Sequence, residues 1–297
     1  MDDRVRLPVE RPRHPSSRAR RGRNGHGRIV RSQHVTAAVG APDPTTLAFY
    51  QDTIDSLSAG HGPFLIGGRT PWSATRASRG TRRTSTSSSA RRIGTRPSAE
   101  RAGYRVQSTH PHWLGKVFAA GAVVDLIWSS GNGITMVDHA WFRHATPATL
   151  LDRPVRLCPA EGMVWSKAFI MERERFDGAD IAHLLRARGR SMRWRWLVRR
   201  FGPHWPVLLS HLILLRFVYP GEAAAPEWVT ALLVRRLQRE RRPRATAAPI
   251  CMGTLLSRAQ YLIDVQHWGY RDGRRPPSGR MREEDVRRWT AAIDAPA

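Results

Sequence analysis

Two short apolar runs decide the fold class of this chain: residues 63–68, PFLIGG, and residues 123–127, VVDLI. Residues 64–66 and 123–127 have the composition of buried strands, and turn residues follow each run. Gly67-Gly68 is predicted to form a turn, at which backbone can approach a ligand closely. The two strands therefore predict a sheet with a candidate site near Gly67-Gly68 and Asp125.

The segment between these strands has a different composition. Residues 69–99, RTPWSATRASRGTRRTSTSSSARRIGTRPSA, contain no Asp or Glu and few apolar residues. Such a segment cannot bury enough apolar surface to order itself, so we expect residues 69–99 to be disordered or irregular. A natural low-complexity insertion is one explanation for the segment, and a shifted reading frame is another.

The rest of the chain predicts an α+β fold. After Pro44, apolar residues recur at helical spacing, at Leu47, Tyr50, Ile54 and Leu57. Strands over 112–118 and 122–128 are predicted to form a hairpin, and a short strand follows over 155–157. From Pro159 the pattern is helical. We expect one helix with Met163, Phe169 and Ile170, and further helices over 181–185, 207–219, 228–237 and 283–293.

This order predicts three regions. Residues 1–42 are Arg- and Pro-rich without an apolar period, so we expect a disordered tail. An α/β domain with a mixed sheet and flanking helices is predicted over 43–158, and a helical C-terminal region over 159–297.

The formal net charge of +25 suggests a nucleic-acid partner, because basic surfaces bind phosphate backbones. Residues 1–34 hold ten Arg against three acidic residues, and residues 69–101 hold nine Arg against one Glu. Only Lys116 and Lys167 are lysines among 49 basic residues, which indicates the codon bias of a GC-rich genome. We therefore expect non-specific nucleic-acid binding through Arg-rich segments rather than a dedicated binding platform.

The cysteine and apolar patterns bear on the compartment. Cys158 and Cys251 are too few for a disulfide framework or a zinc site of their own, so we expect a reducing, cytoplasmic environment. No run approaches the ~18 apolar residues of a membrane span, and the N-terminus has no apolar stretch like that of a signal peptide. We therefore expect no membrane partner.

Asp125 and Lys167 are the candidate polar residues of a site. A carboxylate inside a five-residue apolar strand is costly to bury without a partner or metal, but an edge-strand Asp125 facing water explains the sequence equally well. Lys167 is predicted on a helix with Arg173 and Arg175 in the following turns. The alternative for Lys167 is a solvated charged helix with ordinary i,i+4 pairing.

The histidines are interpreted as structural. His110 and His112 lack a third ligand at a suitable spacing for a metal site. His204 and His211 flank an apolar helix, so we interpret them as packing or capping residues.

Three segments together resemble nucleotidyltransferase family proteins of the DNA polymerase β-like superfamily, in the group of minimal and AbiEii-type enzymes. They are the strand that ends at Gly67-Gly68, HWLGK (112–116) with VVDLIWSSGNG (123–133), and WSKAFIMERERFDGADIAHLL (165–185). The resemblance covers about residues 43–293 apart from 69–99. It implies that 43–158 is a nucleotidyltransferase-like domain.

The resemblance implies transfer of a nucleotidyl group from an NTP to a hydroxyl acceptor, which is a protein, RNA or small molecule. In that family three Asp residues hold Mg²⁺. Gly67 and Gly68 match the nucleotide-binding turn, Asp125 matches the third catalytic, metal-binding carboxylate, and Lys167 matches a triphosphate contact. The Asp-x-Asp that the family carries after the turn has no match, so we expect little or no catalysis from this chain.

A reading frame shifted by one nucleotide accounts for the missing motif. Thr codons (ACN) then conceal Tyr, His, Asn or Asp, and TCN Ser codons conceal Phe, Leu, Ile or Val. Residues 84–89, TSTSSS, therefore conceal the pattern of Asp-Phe-Asp-Ile-Phe-Val. We hypothesise that two compensating indels shifted the frame near Arg69 and restored it near Ala99. Sequencing codons 68–100 tests this, and stop codons in the shifted frame would refute it.

Two other functions stay open. One is a non-catalytic module that binds nucleotides, RNA or a protein partner, for which the charge is the positive evidence. The other is a component of a toxin–antitoxin pair, which rests on family analogy alone.

Overall fold

The computed structural model describes residues 44–59, 63–69, 83–88, 104–119, 122–240 and 249–291, and for 68–69 and 83–88 it describes the backbone alone. The described residues all belong to one unit, Pro42–Ala297. Helices and strands both occur in it, so the predicted α+β class is confirmed. The predicted tail over 1–42 lies outside the described residues.

A seven-stranded mixed sheet lies at the centre of this unit, with its strands in the order β3-β4-β5-β2-β1-β7-β6. The strands are β1 Phe64–Arg69, β2 Arg83–Ser88, β3 Arg105–His110, β4 Leu114–Ala119, β5 Ala122–Ile127, β6 Thr146–Leu150 and β7 Arg153–Leu157. Strands β4 and β5 form the predicted hairpin, with Ala119 opposite Ala122 at its tip. The predicted strand over 155–157 is confirmed as part of β7.

Strand β2 corrects the expectation that residues 69–99 are irregular throughout. It lies between β1 and β5, antiparallel to β1 and parallel to β5. Backbone N–H and C=O groups inside a sheet need partners on both sides, and another backbone supplies them whatever its side chains are. Thr84 and Thr86 are β-branched, which favours the strand. Apart from Arg69 and β2, residues 69–99 lie outside the described part of the chain.

The two faces of the sheet pack against different partners, because side chains alternate along each strand. On one face, Ile66 packs with Ile54 of helix α1, Pro44–Ala59. The preceding residue, Leu65, is fully buried in a second core with Val164 and other residues of the C-terminal helices. Strand β1 therefore lies between these two of the three hydrophobic cores in the described residues.

The remaining helices follow β5 in the sequence. They are α2 His139–Arg143, α3 Ala160–Lys167, α4 Gly178–Arg188, α5 Trp194–Phe201, α6 Trp205–Val218, α7 Glu227–Arg239, α8 Leu262–Gln266 and α9 Glu283–Ala291, with short 3-10 turns at Gly189–Ser191, Gly202–His204 and Met252–Leu255. The predictions for α4, α6, α7 and α9 are confirmed to within a few residues. Among the described helices, none combines the length and the apolar character that crossing a membrane requires.

The prediction of a single helix through Met163 and Ile170 is wrong, because α3 ends at Lys167. After it the chain reverses in a tight turn, in which the Glu172 N–H donates to the carbonyl of Arg175 over 2.9 Å. Arg175 is therefore not on a helical turn that follows Lys167. A bridge between Met171 and Phe176 closes this turn just before α4 begins.

Residues 249–291 accept hydrogen bonds from two turns of the unit. The Asn132 side chain, in the turn after β5, donates to the carbonyl of Leu255 over 2.7 Å. The backbone N–H of Met171, in the turn after α3, donates to the carbonyl of Leu256 over 3.1 Å. This segment therefore contacts both the turn that follows β5 and the turn that follows α3.

A candidate site beside Asp125

Asp125 lies in the middle of β5, which pairs with β4 on one side and β2 on the other. The strand is therefore not an edge strand, and the interpretation of Asp125 as an edge residue facing water is wrong. Val124 and Leu126 are buried on the opposite face, so alternation places Asp125 on the face toward the C-terminal helices.

One oxygen of Asp125 is left without a hydrogen bond. Oδ1 is buried and accepts no hydrogen bond from the described residues. Asp125 pairs in register with Lys116 on β4 and with Ser85 on β2. A buried, unpaired carboxylate oxygen costs free energy, and positions of this kind are often used for ligands.

Four charged residues on the same side form the Lys167 cluster, which comprises Lys167, Arg175, Asp177 and Asp180. The ammonium nitrogen of Lys167 lies 2.7 Å from Asp177 Oδ2 and 2.8 Å from Asp180 Oδ2. Arg175 donates to both oxygens of Asp177, over 3.0 Å and 3.1 Å. The interpretation of Lys167 as part of a solvated helix with i,i+4 pairing is therefore wrong.

The electrostatics of the cluster extend to Asp125. Burial by itself would raise the pKa of Asp177, but hydrogen bonds from Arg175 and Lys167 and the charges of both cations hold that pKa below its ordinary value. The pKa of Arg175 is raised, first by its hydrogen bonds to Asp177 and further by the charges of Asp177, Asp180 and Asp125. Asp125 and Arg175 therefore attract each other electrostatically.

Local structure explains why these four residues meet. Lys167 is the last residue of α3, where a cation is favoured by the helix dipole. Asp177 and Asp180 lie at the start of α4, where anions are favoured. Asp177 caps no backbone N–H with its side chain, because its carboxylate is bonded to Arg175 and Lys167.

Gly67 and Gly68 lie inside β1, which continues to Arg69, so the predicted turn at Gly67-Gly68 is wrong. A Cβ on Gly67 would come within 2.9 Å of Cys158 Sγ and 3.3 Å of Met163 Sδ. The absent side chain therefore lets the sheet approach the start of α3. Gly68 pairs in register with Thr84 of β2.

His204 and His211 pack inside the fold as predicted, although His211 lies within α6 and does not flank it. The buried His211 ring bonds through Nε2 to the carbonyl oxygen of Ala168 at 2.9 Å. His204 lies edge-on to Phe169, with ring centroids 5.7 Å apart. Both are packing residues.

The described residues near Asp125 do not fit a magnesium site. Mg²⁺ requires several oxygen ligands in near-octahedral geometry. Within the described ranges, no three His, Cys, Asp or Glu side chains lie together so that they could hold a metal ion. Asp177 and Asp180 are already bonded to Lys167, and the register neighbour of Asp125 on β4 is the cation Lys116.

The sequence therefore identified Asp125 and Lys167 but not their surroundings. The sequence places Arg175 on the same helix as Lys167 and does not single out Asp177 or Asp180. The Asp-x-x-Asp spacing of Asp177 and Asp180, which puts two carboxylates in the first turn of a helix, was the available signal. Comparisons of this chain with protein-family models, with curated proteins and with solved structures find no match.

Proposed function

We propose that this chain is a nucleotidyltransferase-like protein that binds an NTP beside Asp125 and, as translated, transfers little or no nucleotidyl group. The observation that carries the proposal is Asp125 itself. It is a half-buried carboxylate on a central strand with one oxygen unpaired, and its charge contributes to the raised pKa of Arg175. The sequence resemblance supplies the substrate class.

Arg175 is the better candidate for a triphosphate contact. Its side chain is 57% exposed, whereas that of Lys167 is 15% exposed and is held by two carboxylates. A phosphate that bound Lys167 would have to displace Asp177 and Asp180. Nε and Nη2 of Arg175 already donate to Asp177, so the Nη1 side of its exposed guanidinium is the part that we expect to bind phosphate oxygens.

We expect no catalysis because two of the three metal-binding carboxylates are missing. The family chemistry implied by the resemblance needs three carboxylates around its metal ions. Asp125 is the one matching carboxylate, and the remaining two positions fall on residues 84–89, which hold only Thr and Ser. We therefore assign no catalytic step to the described residues.

The test measures NTP binding and NTP turnover separately. We expect the chain to bind a fluorescent NTP, Arg175→Gln to weaken this binding about tenfold, and Lys167→Gln to act mainly through stability. Turnover with Mg²⁺ should stay at background. Turnover that Asp125→Ala abolishes would contradict the proposed inactivity, and an unchanged affinity in Arg175→Gln would contradict the proposed contact.

The register of β2 allows a sharper test of the ancestral motif. Position 85 pairs with Asp125, while positions 84 and 86 pair with the buried Val124 and Leu126. Partners in register share a face of a sheet, so Ser85→Asp should place a second carboxylate beside Asp125. We expect Ser85→Asp, and not Thr84→Asp with Thr86→Asp, to gain Mg²⁺ binding by calorimetry. The reverse result would show that the ancestral strand pairs one residue out of this register.

A further inference from the structure

Helix α6 is apolar around its whole circumference. Of its 14 residues, WPVLLSHLILLRFV, only Ser210, His211 and Arg216 carry polar or charged side chains. One side is buried in the helical core, including Leu208, Leu212 and Leu215. The other side carries large apolar residues that are exposed to solvent: Ile213 at 59%, Leu214 at 41%, Phe217 at 82% and Val218 at 50%.

The neighbouring helix α7 also carries large apolar residues that are exposed to solvent. Its exposed apolar residues are Trp228 at 43%, Val234 at 37% and Leu237 at 53%. Seven of the 14 large apolar residues that are exposed in the described ranges therefore lie on these two helices. We call these seven residues the α6–α7 face. A helix that is apolar all round is normally covered on every side, and a concentration of exposed apolar residues marks an interaction surface.

The charges along α7 indicate what covers this face. Glu227 stands in the first turn, and Arg236 and Arg239 stand in the last. The helix is therefore acidic at one end and basic at the other, with Glu240 just beyond its basic end. Two antiparallel copies of such a helix would place the acidic end of each beside the basic end of the other, and their helix dipoles would also be favourably aligned.

We propose that the α6–α7 face binds a second copy of this chain, to form a two-fold symmetric dimer with antiparallel α7 helices. A two-fold interface uses the same surface on both copies, so it must be complementary to itself. The apolar residues of the face meet this requirement, and so do the opposite charges at the two ends of α7. In this arrangement Glu227 of one copy lies near Arg239 of the second copy. The proposal does not depend on the proposed nucleotide site.

The first experiment measures the mass of the full chain by sedimentation equilibrium over a wide range of protein concentration. We expect a dimer, and Phe217→Glu should raise the dissociation constant at least about tenfold. Trp268→Glu is the matched control, because Trp268 is also apolar and 62% exposed but lies outside the face. Circular dichroism verifies that both variants are folded. A monomer at every concentration, or equal dissociation by both variants, would overturn the proposal.

The second experiment tests the antiparallel arrangement. Glu227→Arg and Arg239→Glu should each weaken the dimer, because each puts like charges side by side. The double variant restores opposite charges and should recover most of the lost affinity. A double variant as weak as the singles would rule out this arrangement. Binding of a monomer to anionic vesicles in a way that needs Phe217 would show that a membrane, and not a second copy, occupies the face.

Discussion

At the scale of single residues, Gly67 is the point where β1 and the start of α3 come closest. We expect Gly67→Ala to destabilise the protein by about 1–3 kcal/mol, because the new Cβ would overlap Cys158 Sγ. Gly115→Ala is the control, since its Cβ would meet its nearest neighbour at an ordinary 3.5 Å. Chemical denaturation measures both. An equal effect at the two positions would show that strand conformation, and not packing, determines the cost.

Lys167 is expected to stabilise the fold more than a surface cation does. Its ion pairs with Asp177 and Asp180 are largely screened from water, so Lys167→Met should remove the cation that these two carboxylates share and cost about 2–4 kcal/mol. Arg153→Met is the matched control. Its 2.7 Å ion pair with Asp55 is as short, but Asp55 is 52% exposed, so a much smaller loss is expected. Thermal unfolding measures the stability of both variants. A similar loss of stability in the two would contradict this prediction.

The sequence identifies an individual residue as unusual only where the residues next to it in the chain make it so. Asp125 stood out because a carboxylate interrupts an apolar run, whatever the rest of the chain does. Arg175, whose pKa is raised in part by the charge of Asp125, lies 50 positions further on, and no local pattern links the two residues. Asp177 and Asp180 reach Lys167 only because the chain reverses between the end of α3 and the start of α4.

At the scale of elements, the strands that contain short apolar runs are predicted and the largely polar strands are not. Strand β5 buries alternate residues, and β4 buries Leu114, Gly115 and Val117, so both have an apolar character that is visible locally. Strands β3, RVQSTH, and β6, TPATL, form the two edges of the sheet and are largely polar or exposed. Edge strands need less apolar surface and tolerate Pro147, so their sequences carry a weak signal.

Helix α9 contacts an edge strand of the sheet through Trp289. Trp289 packs against His110 and Trp113, with ring centroids 5.0 Å and 5.3 Å away. Burial lowers the pKa of His110, and the charges of His112, Arg258, Lys116 and Arg288 lower it further. The unfolded chain therefore takes up this proton at a higher pH than the folded chain, so the contact contributes fully above about pH 6.5 and weakens as the pH falls.

We therefore expect α9 to loosen as the pH is lowered from 7 toward 5. After correction for the intrinsic exchange rate at each pH, hydrogen exchange of residues 283–291 should become faster over this range. His110→Gln should remove most of this pH dependence while His144, His204 and His211, whose pKa values are also lowered by burial, are unchanged. A pH dependence that persists in His110→Gln would assign it to another group.

At the scale of the whole molecule, the net charge of +25 predicts weak, salt-sensitive nucleic-acid binding. Removing the +7 carried by residues 1–42 leaves +18, so the truncated chain should still bind. We expect a smaller slope of log affinity against log salt for the truncated chain, measured by anisotropy with a mixed-sequence RNA. An unchanged slope would show that residues 1–42 make no phosphate contacts. A strong preference for one RNA sequence would contradict non-specific binding.

The sequence by itself determined the α+β class, the hairpin of β4 and β5, the positions of α4, α6, α7 and α9, and the unusual place of Asp125. These features follow from periodicity and from single residues, and both are local. Only the tertiary structure decided that β2 lies at the centre of the sheet, that α3 ends at Lys167, and that Lys167 binds Asp177 and Asp180. Strand β2 depends on strands elsewhere in the chain, and Lys167 meets carboxylates 10 and 13 residues further on across a turn that local periodicity does not reveal. Unpaired backbone and buried charge are satisfied by whichever groups the fold brings near.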